Sequence, residues 1–213
     1  ERMADFDVLG PKWQGPIIKW HFSDPGEARY LPEIQRAFNA WDTLIDIDFV
    51  RVDTVAEADV EIFFYDGANL IYSDFDFAST RAQIYTDGEG TEFFQPQSGE
   101  MFIQSYWPRF SGLLWDPEVG QMTAYNGLDY LGGQPSNYSG VHFYNIMLHE
   151  IGFSLGLLES TNPDTVMYRD LSGADKNIGY WDQVGIHTLY APENDINTAP
   201  ITTIADQSIR AGE

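Results

Sequence analysis

The residues of this 213-residue chain best suited to chemistry lie in one segment, His149-Glu150-Ile151-Gly152-Phe153-Ser154-Leu155-Gly156-Leu157-Leu158-Glu159. An imidazole followed directly by a carboxylate suits the activation of water at a metal. Such a centre needs two imidazoles one helical turn apart, so that both point at one ion. The glutamate beside the first takes a proton from the bound water. A glycine three residues past the second imidazole lets the chain turn sharply, and a third ligand three residues later closes the site. His149, Glu150 and Gly156 hold their places in that pattern, but Phe153 stands at the second imidazole position and Glu159 at the third ligand position. A phenyl ring has no lone pair. At most two donors, His149 and Glu159, remain of the three protein ligands that catalytic zinc ordinarily takes. Each missing ligand removes several kcal/mol from an apparent affinity of ~10–16 kcal/mol.

Further along, Ser160-Thr161-Asn162-Pro163-Asp164-Thr165-Val166-Met167-Tyr168 forms a turn-rich stretch with a methionine near its end. Upstream lie Pro11-Lys12-Trp13, Ala37-Phe38-Asn39-Ala40-Trp41 and Ala58-Asp59-Val60-Glu61-Ile62, and the series closes with Trp181 to Tyr190. In this order the segments resemble the metzincin metallopeptidases, most nearly the matrixins, with some similarity to the serralysins. The resemblance covers residues 11 to 191. It implies an α+β, zincin-like domain: a mixed, mostly parallel twisted sheet with three main helices. It also implies that Met167 and Tyr168 form a methionine turn packed below the site and that Glu150 is a vestigial general base. His149 and Glu159 become vestigial metal positions, and Phe153 a residue that fills the space of an ion. No stoichiometric zinc and no ordinary peptidase activity are expected. Endopeptidase activity at an atypical metal site remains the alternative.

The elements that must carry these residues are legible in the pattern. Ile17 to Phe22 reads as a strand with Trp20 and Phe22 on one face. A helix follows over 30–45, with Pro32 near its first turn and Ile34, Ala37, Phe38, Trp41 and Ile45 as its apolar stripe. Residues 45–52 and 58–65 read as strands. Between Asp66 and Ser139 the chain is irregular, with short strands expected at 82–85 and 101–103. Its length suggests function or some tie other than regular hydrogen bonding. A helix is expected over 141–159, with Gly156 supplying a left-handed turn. A last helix is expected over 180–189, with Trp181, Val184 and Thr188 on one side. The domain limits expected are an arm at 1–10, the main domain at 11–191 and a polar tail at 192–213.

Composition bounds the rest. With 11 Lys and Arg against 33 Asp and Glu the formal charge is -22, which disfavours phosphate backbones and anionic lipid. The absence of cysteine excludes disulfides and thiolate ligands. The 14 Phe, 12 Tyr and 6 Trp residues speak against disorder. No apolar run approaches the roughly 18 residues of a membrane span, and any export signal is expected to have been removed. The acidic excess reads as a solvated exterior suited to an extracellular or high-salt setting, and a secreted or extracellular protein is expected. Relatives hold calcium in corresponding loops, and Asp74, Asp76, Asp87, Gly88 and Glu89 could offer hard oxygen ligands. His21, His142 and His187 lack ligand spacing to another histidine. His149 is read either as a partly buried histidine bonded to a neighbour or as a weak metal contact. Glu159 is a candidate partner for it. The expected partner is a protein, a polymer or a second copy, with Phe93, Phe94, Tyr106, Trp107 and Trp115 as candidate contact aromatics or core.

Overall fold

The computed structural model describes residues 8–65, 78–104, 113–116, 121–124, 143–171 and 176–190. Strand β1 (Ile17–Phe22) alternates, with Ile18, Trp20 and Phe22 buried and Ile17, Lys19 and His21 on the opposite face. Helix α1 (Leu31–Asp42) begins with Pro32 and Glu33 in its first turn, where a missing N–H costs nothing and a negative charge meets the helix dipole. Its buried stripe is Ile34, Ala37, Phe38 and Trp41. The helix stops at Asp42, short of Ile45, and the Asp42 carboxylate takes the Phe49 N–H at 3.1 Å. That bond caps the start of β2 (Asp48–Arg51), which lies parallel to β1.

Strand β3 (Val60–Tyr65) pairs with the other side of β1 and with β7 (Gly99–Gln104), both in parallel. The edge strand β4 (Ala78–Arg81) runs antiparallel to β7. The five-stranded order is β2-β1-β3-β7-β4, the mixed and mostly parallel sheet that the resemblance implies. β4 itself has too few apolar residues to show in the sequence. Two hairpins stand apart: β5 (Ile84–Thr86) with β6 (Glu92–Phe94), and β8 (Leu113–Asp116) with β9 (Gln121–Ala124). The strand expected at 82–85 is therefore displaced to β5, and Phe93 and Phe94 are core residues rather than contact aromatics. Tyr106 and Trp107 lie outside the described residues.

Helix α2 (Phe143–Ser154) is buried along its whole length except at Phe153, as expected of a helix apolar on nearly every side. It packs on α1, β4 and β7, and the Trp41 indole N–H donates to the Leu148 carbonyl at 3.0 Å. The expected extension to Glu159 does not form. Leu157 N–H bonds to Gly152 O at 3.0 Å and Gly156 N–H to Phe153 O at 2.9 Å, with Gly156 at φ +95°. This is the paired-bond, left-handed stop that glycine permits.

The next carbonyls of α2 are closed by both ends of the domain. Trp13 Nε1 donates to Ser154 O at 2.7 Å, the Tyr190 hydroxyl to Leu155 O at 3.0 Å, and Leu9 N–H to Gly156 O at 2.7 Å. Tyr190 directly follows α3 (Tyr180–Leu189), whose buried residues are Asp182, Gly185, Ile186 and Leu189. Trp181, Val184 and Thr188 lie on its more open side.

Candidate functional site

His149 sits on α2 with only 7% of its surface exposed. Its Nδ1 lies 2.8 Å from the Val166 carbonyl. A carbonyl can only accept, so Nδ1 carries the proton of this bond. One turn on, Phe153 meets the imidazole edge to face, with ring centres 4.6 Å apart and planes at 87°. The second ligand position thus presents an aromatic surface to the ring that would have shared an ion with it.

Glu150 is 4% exposed and accepts the Thr80 hydroxyl on Oε2 at 2.7 Å. The same hydroxyl lies 3.3 Å from the Glu150 carbonyl. This fastens edge strand β4 to α2. Nothing in the sequence of β4 marked Thr80 as a partner of Glu150.

Glu159 does not bond to His149, contrary to the candidate pairing. Its carboxylate is 52% exposed and lies 3.8 Å from the Arg169 Nε. Ser160 N–H bonds to Met167 O at 2.8 Å, and the preceding carbonyl, Val166 O, holds His149. Met167 is buried beneath α2, where a Cβ on Gly152 would stand 2.3 Å from its sulfur.

The turn carrying Val166 and Met167 hangs from Asp182. Its carboxylate accepts the N–H groups of Val166 at 3.0 Å, Met167 at 3.4 Å and Gly179 at 2.8 Å. Burial pushes the Asp182 pKa up, opposed by those three bonds and by the Lys176 ammonium. Burial lowers the Lys176 pKa, opposed by Asp170, Asp182 and Asp164. Lys176 is anchored through its backbone, whose N–H donates to the buried Asn145 Oδ1 at 2.7 Å. Asp182 was recoverable in principle, since an acidic residue three past a helix-starting glycine is a familiar start signal.

Of the calcium candidates, Asp87 uses Oδ1 to accept the N–H groups of Glu89 and Thr91, both at 2.9 Å, inside the β5–β6 turn. Glu89 is exposed. Asp74, Asp76 and His142 lie outside the described residues. His21 Nδ1 is 2.9 Å from Val52 O, and His187 Nε2 is 2.9 Å from Leu44 O, both away from His149.

The donors do not fit zinc. One imidazole nitrogen, a phenyl ring in the second position and a carboxylate paired with a guanidinium make no three-ligand face. Among the described residues no group of three or more His, Cys, Asp or Glu side chains is arranged to hold a metal ion. No described helix is long and apolar enough to cross a membrane.

Comparison with known proteins agrees with the architecture. Matrix metalloproteinase-2 of Drosophila melanogaster is 27% identical over 197 residues, 89% of this chain and 22% of that protein. Metalloendoproteinase 1-MMP of Arabidopsis thaliana is 26% identical, over 95% of this chain and 50% of its own length. Matrix metalloproteinase-16 of Homo sapiens is 24% identical, over 95% and 32%. The chain thus spans between about a fifth and a half of these relatives. The protein-family model described as Matrixin matches residues 13–191, nearly the whole sheet-and-helix unit, and the chain belongs to the matrixin family.

Proposed function

We propose that this chain is a non-catalytic matrixin domain, a pseudopeptidase that keeps the fold and acts by binding or in extracellular assembly. The observation that carries the reading is the edge-to-face contact of Phe153 with His149, which puts hydrocarbon where a second metal ligand is required. Glu150 supports it, since a base for water activation is here bonded to the Thr80 hydroxyl of an edge strand. In this reading His149 and Glu159 are vestigial metal positions, and Met167 and Tyr168 persist as a packing turn. The working unit is residues 11–191, with an arm at 1–10 and a tail at 192–213. Its partner is a protein, a polymer or a second copy, and the charge of -22 selects against nucleic acid.

Elemental analysis and native mass spectrometry after chelator-free purification test this directly. The expected result is zinc well below one ion per chain and no cleavage of a mixed peptide substrate. One zinc per chain with chelator-sensitive hydrolysis would replace this reading with that of an endopeptidase using an atypical site. The same spectra report calcium and oligomeric order.

A further inference from the structure

We infer that the sheet face turned away from α2 carries a cavity for a guanidinium or ammonium group, the basic side chain of a protein partner. The inference rests on the reading of this domain as one that acts by binding, and it places the contact away from His149. On β4 the Thr80 hydroxyl bonds to Glu150 of α2, so the next residue, Arg81, lies on the opposite face of the sheet. The same alternation buries Val60, Ile62 and Met101 in the core and leaves Glu61 of β3 and Glu100 of β7 on the Arg81 side. Strand register sets the three in a row, Glu61 opposite Glu100 and Glu100 opposite Arg81. A cavity of about 420 Å³ lies over this row, with Ala82, Gln83, Gln97 and Ser98 in its wall. Its size is that of an ordinary ligand site.

The hydrogen-bonding groups of the cavity select the occupant. Glu61 accepts the Ser23 hydroxyl on Oε1, and Glu100 accepts Arg81 on Oε2. Gln97 donates its Nε2 to the Ala56 carbonyl at 2.9 Å. The Ser98 hydroxyl accepts the Gln83 N–H at 3.0 Å and donates to Gln95 O at 2.6 Å. Among the described residues no partner meets the second carboxylate oxygen of Glu61 or of Glu100, or the amide oxygen of Gln97. What these bonds leave over is weighted to acceptors. A saccharide hydroxyl both donates and accepts, whereas ammonium and guanidinium groups only donate. Charge points the same way. Like charges opposite each other on neighbouring strands are destabilising, and two carboxylates here share one guanidinium. A basic side chain relieves that repulsion, and the field of a chain at -22 draws it in.

The experiment titrates the full chain by calorimetry with a short Gly/Ser peptide carrying one central arginine, and with the same peptide carrying lysine or citrulline. Calcium chloride and maltose are titrated separately. The variants are E61Q, E92Q and A82L. E61Q and E92Q remove the same charge, but Glu92 stands exposed on β6 and does not line the cavity. A82L narrows the cavity at constant charge, and unfolding midpoints check that each variant is folded. The arginine peptide is expected to bind at one per chain, with its neutral citrulline analogue at least roughly tenfold weaker. E61Q and A82L are each expected to weaken the arginine peptide by at least roughly tenfold, and E92Q by no more than roughly twofold.

The inference is overturned if neither basic peptide binds, or if A82L leaves binding unchanged. Equal losses in E61Q and E92Q overturn it too, since they assign the attraction to net charge alone. So does a site that takes calcium or maltose, in an E61Q-sensitive way, in place of the peptide. Zinc is measured on the same samples. One zinc per chain overturns the non-catalytic reading whatever the peptides do, so the two failures are told apart.

Discussion

Phe153 and Gly152 are neighbours on α2 with opposite tasks, one occupying space above the helix and the other vacating it below. A Cβ at 152 would stand 2.3 Å from the Met167 sulfur and 3.3 Å from the Trp41 ring. Gly152→Ala is therefore expected to cost about 1–3 kcal/mol through overpacking. The check is a lowered urea midpoint at unchanged m value, which separates lost stability from an altered unfolded state. The replacement of a donor by hydrocarbon at 153 was plain in the sequence, because ligand chemistry belongs to residue type. The fate of Glu159 was not. Its pairing depends on where Arg169 leaves the turn, and the nine intervening residues of backbone decide that.

At the level of elements, α3 governs the turn beside His149 through one carboxylate. Asp182 accepts N–H groups from two residues of the turn and from the start of its own helix. Because burial raises its pKa above 3.8, the folded chain binds this proton more tightly than the unfolded chain does. The stability associated with that shift is full below 3.8 and is lost as pH rises through the raised folded value. Asp182→Asn should remove this component. The stability of the native chain relative to the variant is then expected to fall with rising pH in the window just above 3.8, as read from unfolding curves at a series of pH values.

The same scale shows what sequence pattern can and cannot carry. β1 and α1 were legible because Trp20 and Phe22 follow period two and Ile34 to Trp41 follow the helical period. β4, with the sequence Ala-Ser-Thr-Arg, is a strand only because β7 pairs with it and α2 covers it. Such tertiary support leaves little trace in local composition. The end of α2 is hidden in the sequence because Leu155, Leu157 and Leu158 continue an apolar pattern across the turn at Gly156.

For the molecule as a whole, a charge of -22 on a 24.2 kDa chain means that folding concentrates like charges. Added salt screens that repulsion, so the thermal midpoint should rise as sodium chloride is raised from low to high concentration. Each kcal/mol of relieved repulsion is worth roughly 2–4 °C at this size. A flat or falling midpoint in differential scanning calorimetry would show that the acidic residues are already neutralised in place.

The closure of α2 by Leu9, Trp13 and Tyr190 bears on how the domain is made. Trp13 and Tyr190 are bonded to each other at 3.1 Å across a sequence separation of 177 residues. The last carbonyls of the helix that bears His149 thus lack their final donor until nearly the whole domain has left the ribosome. Contacts of such span slow folding, since a long loop must close before they can form. The nascent chain would carry α2 with an open end from the emergence of Ser154 until that of Tyr190, so the closing of that end comes late in the folding of the domain.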